Sequence, residues 1–183
     1  MSEASLRKQL IEIVKQKSLI TDVQRVLTSG RTSNYYIDAK MTTLDPQGAI
    51  VVGKLILETL KTYEFDAVGG YTLGADPIVS VVSALSAETE RPFPAFIVRK
   101  EPKKHGERKQ IEGPFQEGWK VVVVDDVVTS GGSTLKACSA VEEEGGHVVL
   151  TLAIVDRLEG GRENLEGAGY KFVSLLTRDD LLS

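Results

Sequence analysis

At about 150 residues per domain, a chain of 183 residues is one domain with room for a short appendage, and it is long enough to bury one sizeable core. Its 22 Lys and Arg against 26 Asp and Glu leave a formal charge of −4, which argues against a protein built to coat a polyanion, so nucleic acid is not the expected partner. The single cysteine, Cys138, excludes an intramolecular disulfide and a Cys-based metal cluster, no apolar run approaches the roughly 20 residues that span a bilayer, and the N-terminus lacks a signal-peptide pattern. The expectation is a cytoplasmic protein that does not engage a membrane.

Residues 6–17 place Leu6, Leu10, Ile13 and Val14 on one stripe, with Arg7, Lys8, Glu12 and Lys15 opposite, and this spacing predicts a packed helix. Over 23–37 the pattern changes to Thr, Ser, Tyr and Val with a break at Ser29-Gly30, which reads as two short strands joined by a turn. Asp45 followed by Pro46 is an N-cap with proline at the first helical position, and Ile50, Ile56, Leu57 and Leu60 carry that helix towards Tyr63. From residue 65 onward, apolar strand starts recur near Ala67, Ala95, Val121, Val148 and Phe172, each about 25 residues after the last. Helical patterns over 76–88 and 133–144 fill two of the gaps, the second stopped by Gly145-Gly146. Strand, helix, strand with right-handed crossovers predicts an α/β domain with a parallel sheet covered on both faces, and ligands bind such sheets beyond the carboxyl ends of the strands. Nothing in the composition divides the chain, so 1–183 is read as one domain, with residues 1 to about 40 as a partial cover over the site.

The most informative stretch is 121–134. Four valines, Val121 to Val124, form a strand apolar on both faces, and it runs into two carboxylates, Asp125 and Asp126, whose adjacency is costly unless a polyhydroxyl or metal-bearing ligand uses it. Thr129, Ser130, Gly131, Gly132, Ser133 and Thr134 then open a helix, and their free N–H groups, small hydroxyls and dipole make a phosphate cradle without a lysine. A sugar diol plus a monoester phosphate fits both halves, whereas a plain N-capped helix would explain only the second. Gly48 to Lys54 imitates the start of a P-loop, but Leu55 follows where a magnesium-binding hydroxyl is needed, and the segment lies within a helical pattern. No Gly-x-Gly-x-x-Gly follows a strand, which removes the main support for a kinase or dehydrogenase.

Residues 99–109 hold six Lys or Arg against two Glu, a local +4 that leaves −8 on the rest of the chain. A basic loop with proline and glycine on an acidic body is an anion trap, expected to leave the strand next to the Asp-Asp strand and to neutralise a second, more highly charged group such as pyrophosphate. Lys103 and His105 could both donate to phosphoryl oxygens.

The 121–134 stretch resembles the phosphoribosyl pyrophosphate signature of type I phosphoribosyltransferases. Two further features are similar to the orotate phosphoribosyltransferases among them: the loop Arg99-Lys-Glu-x-Lys-x-His-Gly106, and Thr28-Ser-Gly-Arg-Thr-Ser-Asn-Tyr-Tyr-Ile-Asp38. All three match in order and spacing. The resemblance implies the type I fold, a central parallel sheet flanked by helices with a small N-terminal hood, and transfer of ribose 5-phosphate from phosphoribosyl pyrophosphate to orotate with Mg2+ carried on the pyrophosphate. By position it implies that Asp125 and Asp126 meet the ribose hydroxyls and that Val127, Val128, Thr129, Ser130, Gly131, Gly132 and Ser133 hold the 5′-phosphate. Arg99, Lys100, Lys103 and His105 would contact the pyrophosphate, Tyr71 and Thr72 would line that side, and Lys103 with the two acids would carry catalysis. Thr129 and Arg157 would bind the orotate ring and its carboxylate, with the backbone around Tyr36 and Ile37 closing the other edge. It also implies a homodimer in which each basic loop reaches the partner's site. The chain departs from some members by having Thr28 and Thr72 where they carry lysine.

Two other readings compete. A phosphoribosyltransferase for a purine or uracil would share the cradle, which does not report the base. A regulatory protein of the same fold that binds RNA or DNA should show a basic face, and outside the loop this chain is strongly acidic. For Arg157 taken alone, a surface salt bridge with Asp156 or Glu159 is the simpler expectation.

Overall fold

The computed structural model describes residues 2–26, 32–101 and 110–183, with the backbone alone for 22–26 and 32–33. Helix α1 (Glu3–Lys17) begins on the Ser2 hydroxyl, which accepts from the Ser5 N–H, and buries Leu6, Leu10 and Val14, the stripe that its spacing predicts. An antiparallel pair follows, β1 (Leu19–Val26) and β2 (Thr32–Ile37), so the first strand starts four residues before the sequence expectation. The expected break at Ser29-Gly30 lies outside the described residues. After a single helical turn, α2 (Lys40–Thr43), comes α3 (Pro46–Leu60), where the Asp45 carboxylate accepts from the N–H groups of Gln47 and Gly48 as an N-cap should. The P-loop imitation is interior to α3. Ile50, expected in its apolar stripe, is 40% exposed, and Val51, Val52 and Leu55 are buried in its place. The helix is rotated from the expected face because it packs on both α1 and α4.

The remaining elements are β3 (Ala67–Tyr71), α4 (Asp76–Ser86), β4 (Ala95–Val98), β5 (Ile111–Glu112), β6 (Lys120–Val128), α5 (Gly132–Glu143), β7 (His147–Asp156), α6 (Gly161–Gly167), β8 (Phe172–Thr177) and α7 (Arg178–Leu182). The five strand starts read from the sequence fall within a residue of these. The six-stranded sheet has the order β5-β4-β3-β6-β7-β8, parallel throughout except for the short β5 edge. Strand β5 and helices α2, α6 and α7 escape the sequence reading because each is too short to show a period.

This order corrects one expectation. The basic loop leaves β4, and β4 does not adjoin β6, because β3 pairs with both and lies between them. From β3 the chain moves outward to β4 on one side, then crosses back to β6 on the other. The crevice beyond the carboxyl ends of β3 and β6 is therefore the switch point at which open parallel sheets bind ligands. Alternation along β6 builds both cores: Val122 and Val124 pack with α1, α3 and α4 on one face, while Val121 and Val123 pack with Ala137, Cys138 and Val141 of α5 on the other. No described helix is long and apolar enough to cross a membrane.

Candidate active site at the switch point

The valine alternation continues into the acids and separates them. Asp125 points to the α5 face and is 6% exposed. Its Oδ2 accepts from the Thr134 hydroxyl at 2.7 Å and its Oδ1 from the Asp126 N–H at 2.9 Å. Burial, followed by the neighbouring charge of Asp126, pushes the Asp125 carboxyl up to about 7 against the opposing pull of the Thr134 bond. Asp126 is half-buried and faces Gly74 in the β3–α4 turn, where a Cβ would lie 2.6 Å from its Oδ1. A larger residue in that turn would have to displace this carboxylate. Lys40, at the start of α2, is within electrostatic reach of Asp126 and forms a 2.8 Å ion pair with Asp38, whose hydrogen bond raises the ammonium above its usual range. Lys40 carried no motif signal, since only the fold brings α2 to this crevice.

The cradle follows β6. Val127 and Val128 end the strand, Thr129 is half-buried, Ser130 is exposed, and Gly131 adopts φ 79° to turn the chain into α5. No side chain caps α5, so its leading N–H groups and positive dipole end face the crevice with Ser133 beside them. The turn is braced from behind by α6: Asn164 Nδ2 donates to the Ser130 carbonyl at 3.0 Å, and a Cβ on Gly161 would strike Val128 and the Thr129 carbonyl. Asn164 and Gly161 are supports that no local pattern reveals.

One strand over, the Arg157 N–H donates to the Val128 carbonyl at 2.9 Å, which places Arg157 directly beside the cradle. Its side chain is 5% exposed and pairs with Glu159 at 2.8 Å. The salt bridge that the simpler reading expected is therefore present, but in the interior. Arg157 Nε also donates to the Tyr35 hydroxyl at 3.3 Å, with the Tyr35 ring 4.6 Å from the guanidinium carbon. The β2 side chain that reaches Arg157 is thus Tyr35, which the sequence reading passed over; Tyr36 is half-buried, and Ile37 turns into the main core.

At the carboxyl end of β3, Tyr71 packs against the α5-side core and Thr72 donates its hydroxyl to Asp76 Oδ2 at 2.8 Å. The Thr72 hydroxyl proton is committed there. Arg99 is turned to the neck of the basic loop. It pairs with Glu112 at 3.0 Å, its N–H donates to the Gln110 carbonyl, and Gln110 Nε2 returns a 2.8 Å bond to the Arg99 carbonyl. Glu144, at the end of α5, accepts from the N–H groups of Gln110 and Ile111 at 2.8 and 3.1 Å and anchors the returning chain. Lys100 is exposed, and Lys103 and His105 lie outside the described residues. Among the described residues no group of three or more His, Cys, Asp or Glu could hold a metal. The half-buried Asp126 carboxylate is an oxygen donor of the kind that a divalent ion takes.

Residues 44–168 match the phosphoribosyl transferase domain family. The chain is 45% identical over 178 residues to the orotate phosphoribosyltransferase of Aquifex aeolicus, covering 96% of this chain and 97% of that one. Among solved structures it is similar to Mycobacterium tuberculosis orotate phosphoribosyltransferase, with a TM-score of 0.86 and 37% identity over 97% of this chain and 99% of that one. The same mycobacterial protein in complex with 5-phospho-alpha-D-ribosyl 1-diphosphate matches with a TM-score of 0.80 and 36% identity, covering 96% and 98% of the two chains. With likeness running through nearly the full length of relatives and structures alike, and the cradle and acids at the switch point of the sheet, this chain belongs to the orotate phosphoribosyltransferase family.

Proposed function

We infer that the protein transfers ribose 5-phosphate from phosphoribosyl pyrophosphate to orotate, giving orotidine 5′-phosphate and pyrophosphate in pyrimidine biosynthesis. The observation that carries the choice of base is Arg157, a buried guanidinium held by its own backbone beside the cradle, where it can meet a carboxylate that uracil and the purines lack. The cradle of Thr129 to Ser133 takes the 5′-phosphate on the open end of α5. Asp126 takes the ribose hydroxyls from the β3 side, with Asp125 behind it and the Tyr71-Thr72 turn flanking the pyrophosphate. The bond between ribose C1 and the pyrophosphate oxygen breaks as a ring nitrogen of orotate bonds to C1, and the electron pair leaves with pyrophosphate. No protein nucleophile is needed: the chain orients the ring against C1 and neutralises the departing charge. Mg2+, carried in on the pyrophosphate, supplies further neutralisation when bound.

Lys103, His105 and Lys100 of the basic loop serve the same end. The protein works as a cytoplasmic homodimer of single-domain subunits, residues 1–183, in which residues 1 to about 40 contribute the cover and each loop completes the partner's site. Met41 on α2 and Leu44 just after it, 58% and 71% exposed, are an apolar surface that a second copy would cover. The test is pyrophosphate release from phosphoribosyl pyrophosphate and Mg2+ with each nucleobase in turn. Orotate should be consumed and uracil should not, and Arg157→Ala should lower kcat/KM for orotate at least about tenfold, as loss of a buried charged hydrogen bond does. Consumption of uracil or a purine in place of orotate would overturn the assignment.

A further inference from the structure

Arg157 carries a long, rotamer-rich side chain into the interior, and a guanidinium recognises a planar carboxylate only if its own plane is fixed first. Two side chains fix it from different directions. Glu159 Oε1 is 2.8 Å from Arg157 Nη2, and the Tyr35 hydroxyl accepts from Arg157 Nε at 3.3 Å while donating to the same Glu159 oxygen at 3.4 Å. The three groups close a triangle, and the Tyr35 ring, 4.6 Å from the guanidinium carbon, covers one face of it. Leu158, between Arg157 and Glu159, has φ 55°, a left-handed conformation unfavourable for leucine. The turn is held by the Leu158 N–H, which donates to buried Asp156 at 2.8 Å. A strained backbone that brings a carboxylate back onto the preceding arginine, with a tyrosine delivered by another sheet, is more than a surface ion pair requires.

We propose that Tyr35 and Glu159 are positioning residues for the base, holding the Arg157 guanidinium in the plane in which it meets the orotate carboxylate, so that the seating of the β1–β2 pair and recognition of the base are coupled. This rests on the reading of Arg157 given above. Glu159 also neutralises the buried guanidinium when no base is bound, so release of product does not strand a bare charge.

The experiment measures KM for orotate and for phosphoribosyl pyrophosphate, kcat and Tm in Arg157→Ala, Glu159→Ala, Glu159→Gln, Tyr35→Phe and the Arg157→Ala, Glu159→Ala double variant. Glu159→Ala should raise the orotate KM about tenfold and Tyr35→Phe about threefold, with the KM for phosphoribosyl pyrophosphate unchanged, the scale of losing one hydrogen bond. Glu159→Gln keeps an acceptor and should restore part of the loss. Because Glu159 acts through Arg157, the double variant should be no worse for orotate than Arg157→Ala alone. A wild-type orotate KM in both Glu159→Ala and Tyr35→Phe overturns the proposal. So does a full multiplication of the two defects in the double variant, or a parallel rise in both KM values. A wild-type orotate KM in Arg157→Ala would instead remove the base-site assignment itself, and the proposal with it.

Discussion

Asp125 and Asp126 share a motif but not an environment. Alternation along β6 sends the first under α5, against Thr134, and the second into the crevice, against Gly74. The buried member keeps its proton to about 7 in the fold, above the 3.8 ordinary for the unfolded chain. The folded state then binds more protons than the unfolded state between those values, so this residue lowers stability as pH rises through that interval. Asp125→Asn removes the titration and preserves an acceptor for the Asp126 N–H. Its Tm relative to wild type should therefore be higher at about pH 8 than at about pH 5, and a pH-independent difference in thermal melts would contradict the assigned environment. Asp126→Asn removes the neighbouring charge that helps to raise the Asp125 carboxyl, so it should lessen the pH dependence of Tm as well as weaken phosphoribosyl pyrophosphate binding measured by calorimetry.

At the scale of elements, the cradle is a joint between two helices. The end of α5 is open to an anion because Gly131, not a capping side chain, makes the turn, and α6 holds that turn from behind through Asn164 and the close approach of Gly161. A methyl at Gly161 has nowhere to go except into Val128 or the Thr129 carbonyl, so Gly161→Ala must push α6 away or shift the cradle. Phosphoribosyl pyrophosphate KM should rise severalfold, with a loss of about 1–3 kcal/mol in stability by chemical denaturation, the usual cost of overpacking. Unchanged binding would show that the cradle does not depend on α6. The neck of the basic loop is a similar joint, in which Arg99, Gln110, Glu112 and Glu144 tie β4, β5 and α5 together. Arg99 is therefore engaged at the base of the loop, whatever it contacts in a complex.

At the scale of the molecule, the proposed dimer makes a quantitative prediction. Mix Lys103→Ala subunits with subunits carrying both Asp125→Asn and Asp126→Asn, and let them exchange. If each loop serves the partner, a hybrid places both defects in one site and none in the other. Random pairing makes half the dimers hybrids, so activity should return to roughly a quarter of wild type under closed two-fold symmetry. If each loop serves its own subunit, every site holds one defect, and no activity returns after verified exchange.

The sequence by itself determined five strand starts of the main sheet, the capped α3 and the turn that follows the paired acids. Each of these is local: a run of valines, an Asp-Pro start, or a Thr-Ser-Gly-Gly turn dictates its conformation within a few residues. The basic loop was legible from its local charge, and the resemblance to a family added the base. Only the tertiary structure decided that β3 lies between β4 and β6, because strand order depends on which edges pair and not on the residues within one strand. Only the tertiary structure put Tyr35 on Arg157, Lys40 near Asp126 and Asn164 behind Ser130. These contacts join residues 34 to 122 positions apart, and a one-dimensional pattern carries no signal for groups whose only relation is that packing brings them together.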